Sequence, residues 1–169
     1  SFYSRNDVFS NLGFDTFSSV EYMGNIERNP IGWPKDKVLT DEIMKTLDST
    51  QKQDFIYTIS VQGHGRYPTA AVDENQHIRL IYGIKDESYK ASFEYYINQL
   101  NETDNFIKEL TDTLSGYSEP TVVVFFGDHL PEIGITEEKL KNKNLYQTEY
   151  VIWSNFELPK KRVDLEAYQ

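Results

Sequence analysis

The stretch PTVVVFFGDHLPEIG, residues 120–134, decides how the chain is read. Thr121 to Phe126 are six strand-forming residues. β-branched and aromatic side chains suit a pleated surface, and a short apolar run bounded by Pro120 and Gly127 reads as a strand. The strand stops at Gly127, Asp128 and His129. Neighbours on an extended segment point in opposite directions, but a turn at Gly127 brings both side chains to one rim. Carboxylate oxygen and imidazole nitrogen are common ligands of divalent metals. Taken alone, the pair reads more readily as a capping carboxylate followed by a loop histidine, since two ligands do not make a site.

Working outward, 149–156 (EYVIWSNF) reads as a further strand and 136–142 as a short acidic helix. Upstream, Phe93, Ile97, Leu100, Ile107, Leu110 and Leu114 recur at helical spacing and predict a long helix over 88–114, with Gly116 as its stop. Asp104 falls on the same stripe and is expected as a satisfied buried carboxylate. Residues 55–61, apolar and β-branched before Gly63 and Gly65, read as a buried strand. Residues 77–84 read as a short strand. Residues 37–47 form an expected helix burying Val38, Ile43, Met44 and Leu47. Residues 1–34 read as irregular, with GNIERNPIGWP (24–34) a surface loop. Strand, long helix, strand, short helix, strand favours an α/β fold with a mainly parallel sheet and helical crossovers. Ligands in such sheets sit beyond the carboxyl ends of the strands. Two places qualify: His64, after the first strand, and Asp128-His129.

The 169 residues predict one domain or a piece of one, with enough length for a sizeable core. The chain is 38% hydrophobic and 14% aromatic, with 12 tyrosines, which excludes a disordered class. A net charge of −10 argues against nucleic acid as a partner, since phosphate attraction needs a basic face. An anionic ligand would need a local cation or a metal. The absence of cysteine excludes disulfides, thiolate metal sites and thiol nucleophiles. No apolar run approaches the roughly 20 residues of a membrane span, and no signal peptide is evident. The opening SFYSRNDVF, without an initiator Met, reads as the interior of a longer protein.

His64 lies in SVQGHGRYP, where flanking glycines let the backbone approach a ligand. An imidazole there either binds an oxyanion or shuttles a proton, or is simply a turn histidine. Arg66 reads as a solvated residue. Arg5 carries a guanidinium able to grip phosphate or sulfate in a fork. No G-x-S-x-G elbow, P-loop or G-x-G-x-x-G is present. A triad of Ser60, His64 and Asp128 is disfavoured, because Ser60 lies inside a strand with no elbow to expose it.

The series FYSRNDVFSNLGFD, FIYTISVQGHGRYP, INQLNETDNFIKEL, VVVFFGDHLP and EYVIWSNF resembles the lipoteichoic acid synthase-like branch of the sulfatase and alkaline phosphatase superfamily. The likeness covers nearly the whole chain and corresponds to the C-terminal part of that family's catalytic domain, here residues 1–169. It implies a parent enzyme anchored in the membrane, with its catalytic domain on the extracellular face. Such an enzyme transfers phosphoglycerol from an anionic phospholipid, such as phosphatidylglycerol, to a teichoic-acid-like polymer. A threonine forms a covalent intermediate beside one divalent metal, often Mn²⁺, with Mg²⁺, Zn²⁺ or Ca²⁺ as alternatives. The resemblance makes Asp128 and His129 metal ligands, and His64 and Arg5 contacts to the substrate phosphate. Tyr3 stands where the family commonly has tryptophan.

The family's nucleophile and its acidic metal ligand are expected upstream, so no catalytic nucleophile is assigned within these residues. The chain alone is therefore expected to bind metal weakly and to show no turnover. An exposed sheet edge is expected to favour dimers. Two other readings stand beside the enzyme: a non-catalytic sulfatase-like module that binds cell-surface polymer, and a plain α/β domain.

Overall fold

The structure, a computed structural model, describes residues 4–72 and 76–159. Its elements are α1 (Arg5–Asn11), α2 (Val38–Asp48), α3 (Glu87–Ser115), β1 (Val122–Phe126) and β2 (Tyr150–Ser154), with short 3₁₀ turns at Val20–Tyr22 and Glu137–Lys139. The chain divides into two compact units, Ser1–Gln62 and Gly63–Gln169.

In the first unit, α1 falls where irregular chain was expected. Its Phe9 packs on Phe14, Phe17 and Tyr57, with ring centroids 5.3–5.9 Å apart. Phe14 in turn meets Phe55. Phe55 and Tyr57 are two residues apart, so an extended backbone sends both rings to one side, into this cluster. Segment 55–61 is thus extended, but it is not the buried strand that was expected: Phe55 is 79% exposed. Among the described residues it has no hydrogen-bonded strand partner, and a strand is buried on both faces only when neighbours flank it. Its far end is fixed by polar side chains instead. Asp36 Oδ1 accepts from the amides of Val61 and Gln62, Gln62 Oε1 accepts from the Asp36 amide, and Asn29 Nδ2 donates to the Gln62 carbonyl. The loop 24–34 is accordingly anchored, with Asn29 buried and its Oδ1 holding the amides of Ile31 and Trp33. On α2 the expected apolar side is only half-buried, and Thr40 is its fully buried residue.

In the second unit, α3 organises the packing. Asp86 caps it by accepting from the amides of Ser88 and Tyr89, and at its end the Gly116 amide donates to the Thr113 carbonyl and the Tyr117 amide to the Leu114 carbonyl. Tyr95, Phe106, Leu110 and Leu114 are its buried apolar residues besides Ala91. The expected stripe holds at Leu110 and Leu114. Leu100 and Asp104 are exposed, which corrects the reading of Asp104 as a buried carboxylate.

The face that turns inward around residues 94–99 is polar, because it serves as a hydrogen-bonding partner for extended chain. Asn98 Oδ1 accepts from the amides of His77 and Ile78, and its Nδ2 donates to the carbonyls of Ile78 and Glu94. Glu94 Oε1 accepts from the Leu80 amide. Segment 77–84 was expected to be a strand but forms none; two side chains of α3 supply part of what a neighbouring strand would.

β1 and β2 pair antiparallel, with Val124 opposite Ile152 and Phe126 opposite Tyr150. This corrects the mainly parallel sheet. A parallel return needs a crossover, usually helical. The expected helix at 136–142 is only the turn Glu137–Lys139, and the chain comes back directly beside β1. One face of this ribbon, with Val122, Val124, Phe126, Tyr150 and Ile152, stays about half exposed. Its other face is the more covered one at Val123, Phe125 and Trp153.

Candidate functional site

β1 ends at Phe126, and Gly127 continues the ladder by one rung: its amide donates to the Glu149 carbonyl. The Thr148 hydroxyl donates to the Gly127 carbonyl at 2.6 Å. The chain then turns, and Asp128 and His129 come to one rim. His129 Nε2 lies 3.8 Å from Asp128 Oδ1, and both side chains are solvent-facing. The turn ends at Ile133, which is buried, and at Gly134, whose φ of +68° favours glycine.

The second loop of this unit, 63–68, brings His64 to the same place. The rings of His64 and His129 meet edge to face with centroids 6.1 Å apart. The loop is held from below. The Tyr67 hydroxyl donates to the Gly63 carbonyl at 3.0 Å, and Ser92 of α3 donates to the Pro68 carbonyl at 2.9 Å. Tyr67 also meets Tyr96 of α3 edge to face. Burial, with smaller contributions from Tyr96 and Glu132, pushes the Tyr67 phenol up to about 12. It therefore remains a donor at any physiological pH.

Both imidazoles are oriented by backbone. His64 Nδ1 lies 2.6 Å from the Gly65 carbonyl, and His129 Nδ1 lies 2.9 Å from the Leu130 carbonyl. A carbonyl only accepts, so Nδ1 carries the proton in each ring and Nε2 is the lone-pair nitrogen of the neutral form. At His129 this sets Nε2 beside the Asp128 carboxylate as a second lone-pair donor. Two such donors 3.8 Å apart are within reach of one ion at ordinary bond lengths of about 2.0–2.2 Å. A backbone acceptor on the far nitrogen is also the usual way a ligating histidine is held. The donor set thus fits a divalent cation, with two protein ligands. Among the described residues no group of three or more His, Cys, Asp or Glu side chains converges.

Of the residues singled out in the sequence, the second unit brings together His64, Asp128 and His129. Arg5 is the first residue of α1 in the other unit, and Tyr3 lies outside the described residues. Arg66 is exposed, as expected. Thr148, Tyr67, Tyr89 and Ser92, which hold the two loops, carry no pattern that marks them in a chain rich in hydroxyl residues. Among the described residues, no helix is long and apolar enough to cross a membrane.

The chain is similar to known proteins. The chain is 30% identical to a Rhizobium meliloti (strain 1021) protein named "Putative cyclic beta-1,2-glucan modification protein", over 96% of its own length and 27% of that protein. Its structure superposes on Streptococcus pyogenes phosphoglycerol transferase GacH, solved in complex with sn-glycerol-1-phosphate, with a TM-score of 0.73 and 29% identity. That match covers 89% of this chain and 40% of GacH. The chain therefore spans well under half of each relative. The family model described as Sulfatase matches residues 1–168, essentially from end to end, and on that match the chain belongs to the sulfatase family.

Proposed function

We propose that the rim formed by His64, Asp128 and His129 is the metal- and oxyanion-binding side of a phosphoglycerol-transferring site in a larger sulfatase-family enzyme. The observation that carries this is the meeting of two loops, remote in sequence, that set two backbone-oriented imidazoles edge to face next to a carboxylate. Asp128 Oδ1 and His129 Nε2 are the two ligands. The resemblance favours Mn²⁺; Zn²⁺ also suits a mixed oxygen and nitrogen donor set, whereas Mg²⁺ and Ca²⁺ favour the carboxylate oxygen alone. When bound, such an ion neutralises charge on the phosphoryl oxygens and activates a hydroxyl nucleophile.

The remaining roles fall to the protein. His64, with Nδ1 on the Gly65 carbonyl, is the residue to hold a phosphoryl oxygen by donating a hydrogen bond from its ring. Arg5 carries a guanidinium able to grip phosphate or sulfate in a fork. The nucleophilic threonine and a further acidic ligand belong to parts of the enzyme outside these residues. GacH was solved with a glycerol phosphate, which favours phosphate over sulfate. A phospholipid headgroup as donor, a cell-envelope polymer as acceptor and a position on the outer face of the membrane complete the reading.

Calorimetric titration of the chain with Mn²⁺ tests it. Weak one-to-one binding that Asp128→Asn and His129→Gln each abolish is expected, with no hydrolysis of a phosphodiester by the chain alone. Stoichiometric binding indifferent to both substitutions refutes the ligand assignment. A longer protein that binds polymer yet never turns over a glycerophosphodiester would favour the non-catalytic module.

A further inference from the structure

We propose that Thr148 and Tyr89 are positioning residues, two hydroxyl latches that hold the ends of the turn bearing Asp128 and His129. This inference rests on the reading of those two residues as metal ligands. Neither Asp128 nor His129 is buried, and the polar contacts seen within the turn are local: His129 Nδ1 to the Leu130 carbonyl, and the 3.8 Å approach to Asp128. Exposed side chains held only by their neighbours sample many geometries, whereas a ligand pair works when its backbone is fixed. The fixing must come from the ends of the turn.

At the entrance, Thr148 Oγ1 donates to the Gly127 carbonyl at 2.6 Å while the Gly127 amide donates to Glu149 at 3.3 Å. The residue before Asp128 is therefore gripped through both its carbonyl and its amide by the segment entering β2. At the exit, the Tyr89 hydroxyl donates to the carbonyl of buried Ile133. Gly134 makes this second latch possible. A Cβ there would stand 3.2 Å from Tyr89 Cε2, and its φ of +68° already disfavours a side chain. Tyr89 is itself fixed, because it sits in the first turn of α3 with its amide on the Asp86 cap. One latch thus comes from the segment entering β2 and the other from α3.

The test compares wild type with Thr148→Val, Thr148→Ser, Tyr89→Phe and Asp128→Asn, by Mn²⁺ titration and by metal-free NMR spectra of the Asp128 and His129 amides and the His129 ring. Thr148→Val keeps the shape and removes the donor; Thr148→Ser keeps the donor. Loss of a group that orients a ligand costs about ten-fold or more in metal affinity. Thr148→Val and Tyr89→Phe are each expected to weaken Mn²⁺ by that factor and to shift the metal-free Asp128 and His129 resonances. Thr148→Ser is expected to restore both. If Asp128→Asn abolishes binding while Thr148→Val and Tyr89→Phe bind as wild type does, the metal reading stands and the latches are refuted. If Mn²⁺ binding ignores Asp128, the metal reading falls and the metal-free spectra decide. Unmoved His129 resonances in Thr148→Val then overturn the latch, and shifted ones restored by Ser uphold it.

Discussion

Replacing Asn98 by leucine should destabilise the second unit by about 3 kcal/mol, from loss of hydrogen bonds at roughly 1 kcal/mol net each. Asn98 is 2% exposed and makes four: two accepted from the His77 and Ile78 amides, two donated to the Ile78 and Glu94 carbonyls. The Glu94 carbonyl lies within α3, where a helical partner also reaches it, so its loss counts little. The other three partners belong to extended chain that this side chain serves in place of a neighbouring strand. Orphaning a fully buried amide costs more than the net figure, but His77 is exposed, and water recovers part of that loss. Leucine shares asparagine's branched outline but is bulkier, so it leaves no cavity, and any overpacking adds to the loss from hydrogen bonds. Urea unfolding followed by α3 helicity is the assay, and a melting temperature lower by about 6–12 °C should accompany it at this chain length. A loss below about 1 kcal/mol, outside the range expected for three lost bonds, would show that the side chains of α3 do not hold segment 76–80.

Other outcomes follow from the same contacts. Asp86 has its pKa lowered from the ordinary 3.8, first by the Ser88 hydroxyl and then by the amides of Tyr89 and Ser88. Its folded value lies below its unfolded one, so the stability it adds is full above pH 3.8 and is lost as pH falls through the lowered value. Asp86→Asn keeps a cap without a titrating charge and should remove that part of the acid sensitivity in a helicity titration. Asn155 donates to the carbonyls of Leu114, Tyr117 and Glu119 and accepts from the Thr121 amide, tying the end of α3 to the start of β1. Asn155→Ala should therefore cost about 2 kcal/mol in urea unfolding, a discount from one net bond each for solvent access. The half-exposed face around Val124 and Ile152 should drive self-association in sedimentation, more strongly at high salt, which screens the −10 charge. Val124→Lys should suppress it, and a wild-type chain that stays monomeric at every concentration and salt would contradict this.

Much of the fold was legible where the cause is local. The long helix expected at 88–114 is α3 at Glu87–Ser115, because a cap, a sustained helical period and Gly116 all act within a few residues. Which side of it is buried was not legible, since Glu94, Asn98 and Gln99 turn inward to serve extended chain or other partners, and an apolar period cannot register polar burial. Segment 55–61 was correctly read as extended, but burial and ladder depend on neighbours that its own residues do not specify. The sense of the β1–β2 pairing turned on whether 136–142 forms a crossover helix; three residues of 3₁₀ turn do not. At the site, the types and places of Asp128, His129 and His64 were visible, because glycines and strand ends mark them. Their orientation was not, for it comes from Gly65 and Leu130 carbonyls and from hydroxyls at positions 67, 89, 92 and 148.

The most direct test of the central claim is paramagnetic broadening of assigned NMR resonances during a Mn²⁺ titration. With a net charge of −10, the chain attracts cations over much of its surface, so a bulk affinity alone does not locate a site. The rim assignment predicts that Asp128 and His129 broaden first, with the His64 ring, 6.1 Å from that of His129, close behind. Asp128→Asn should then leave only diffuse broadening over the acidic surface. Early broadening elsewhere, with His129 and His64 unaffected, would contradict the assignment.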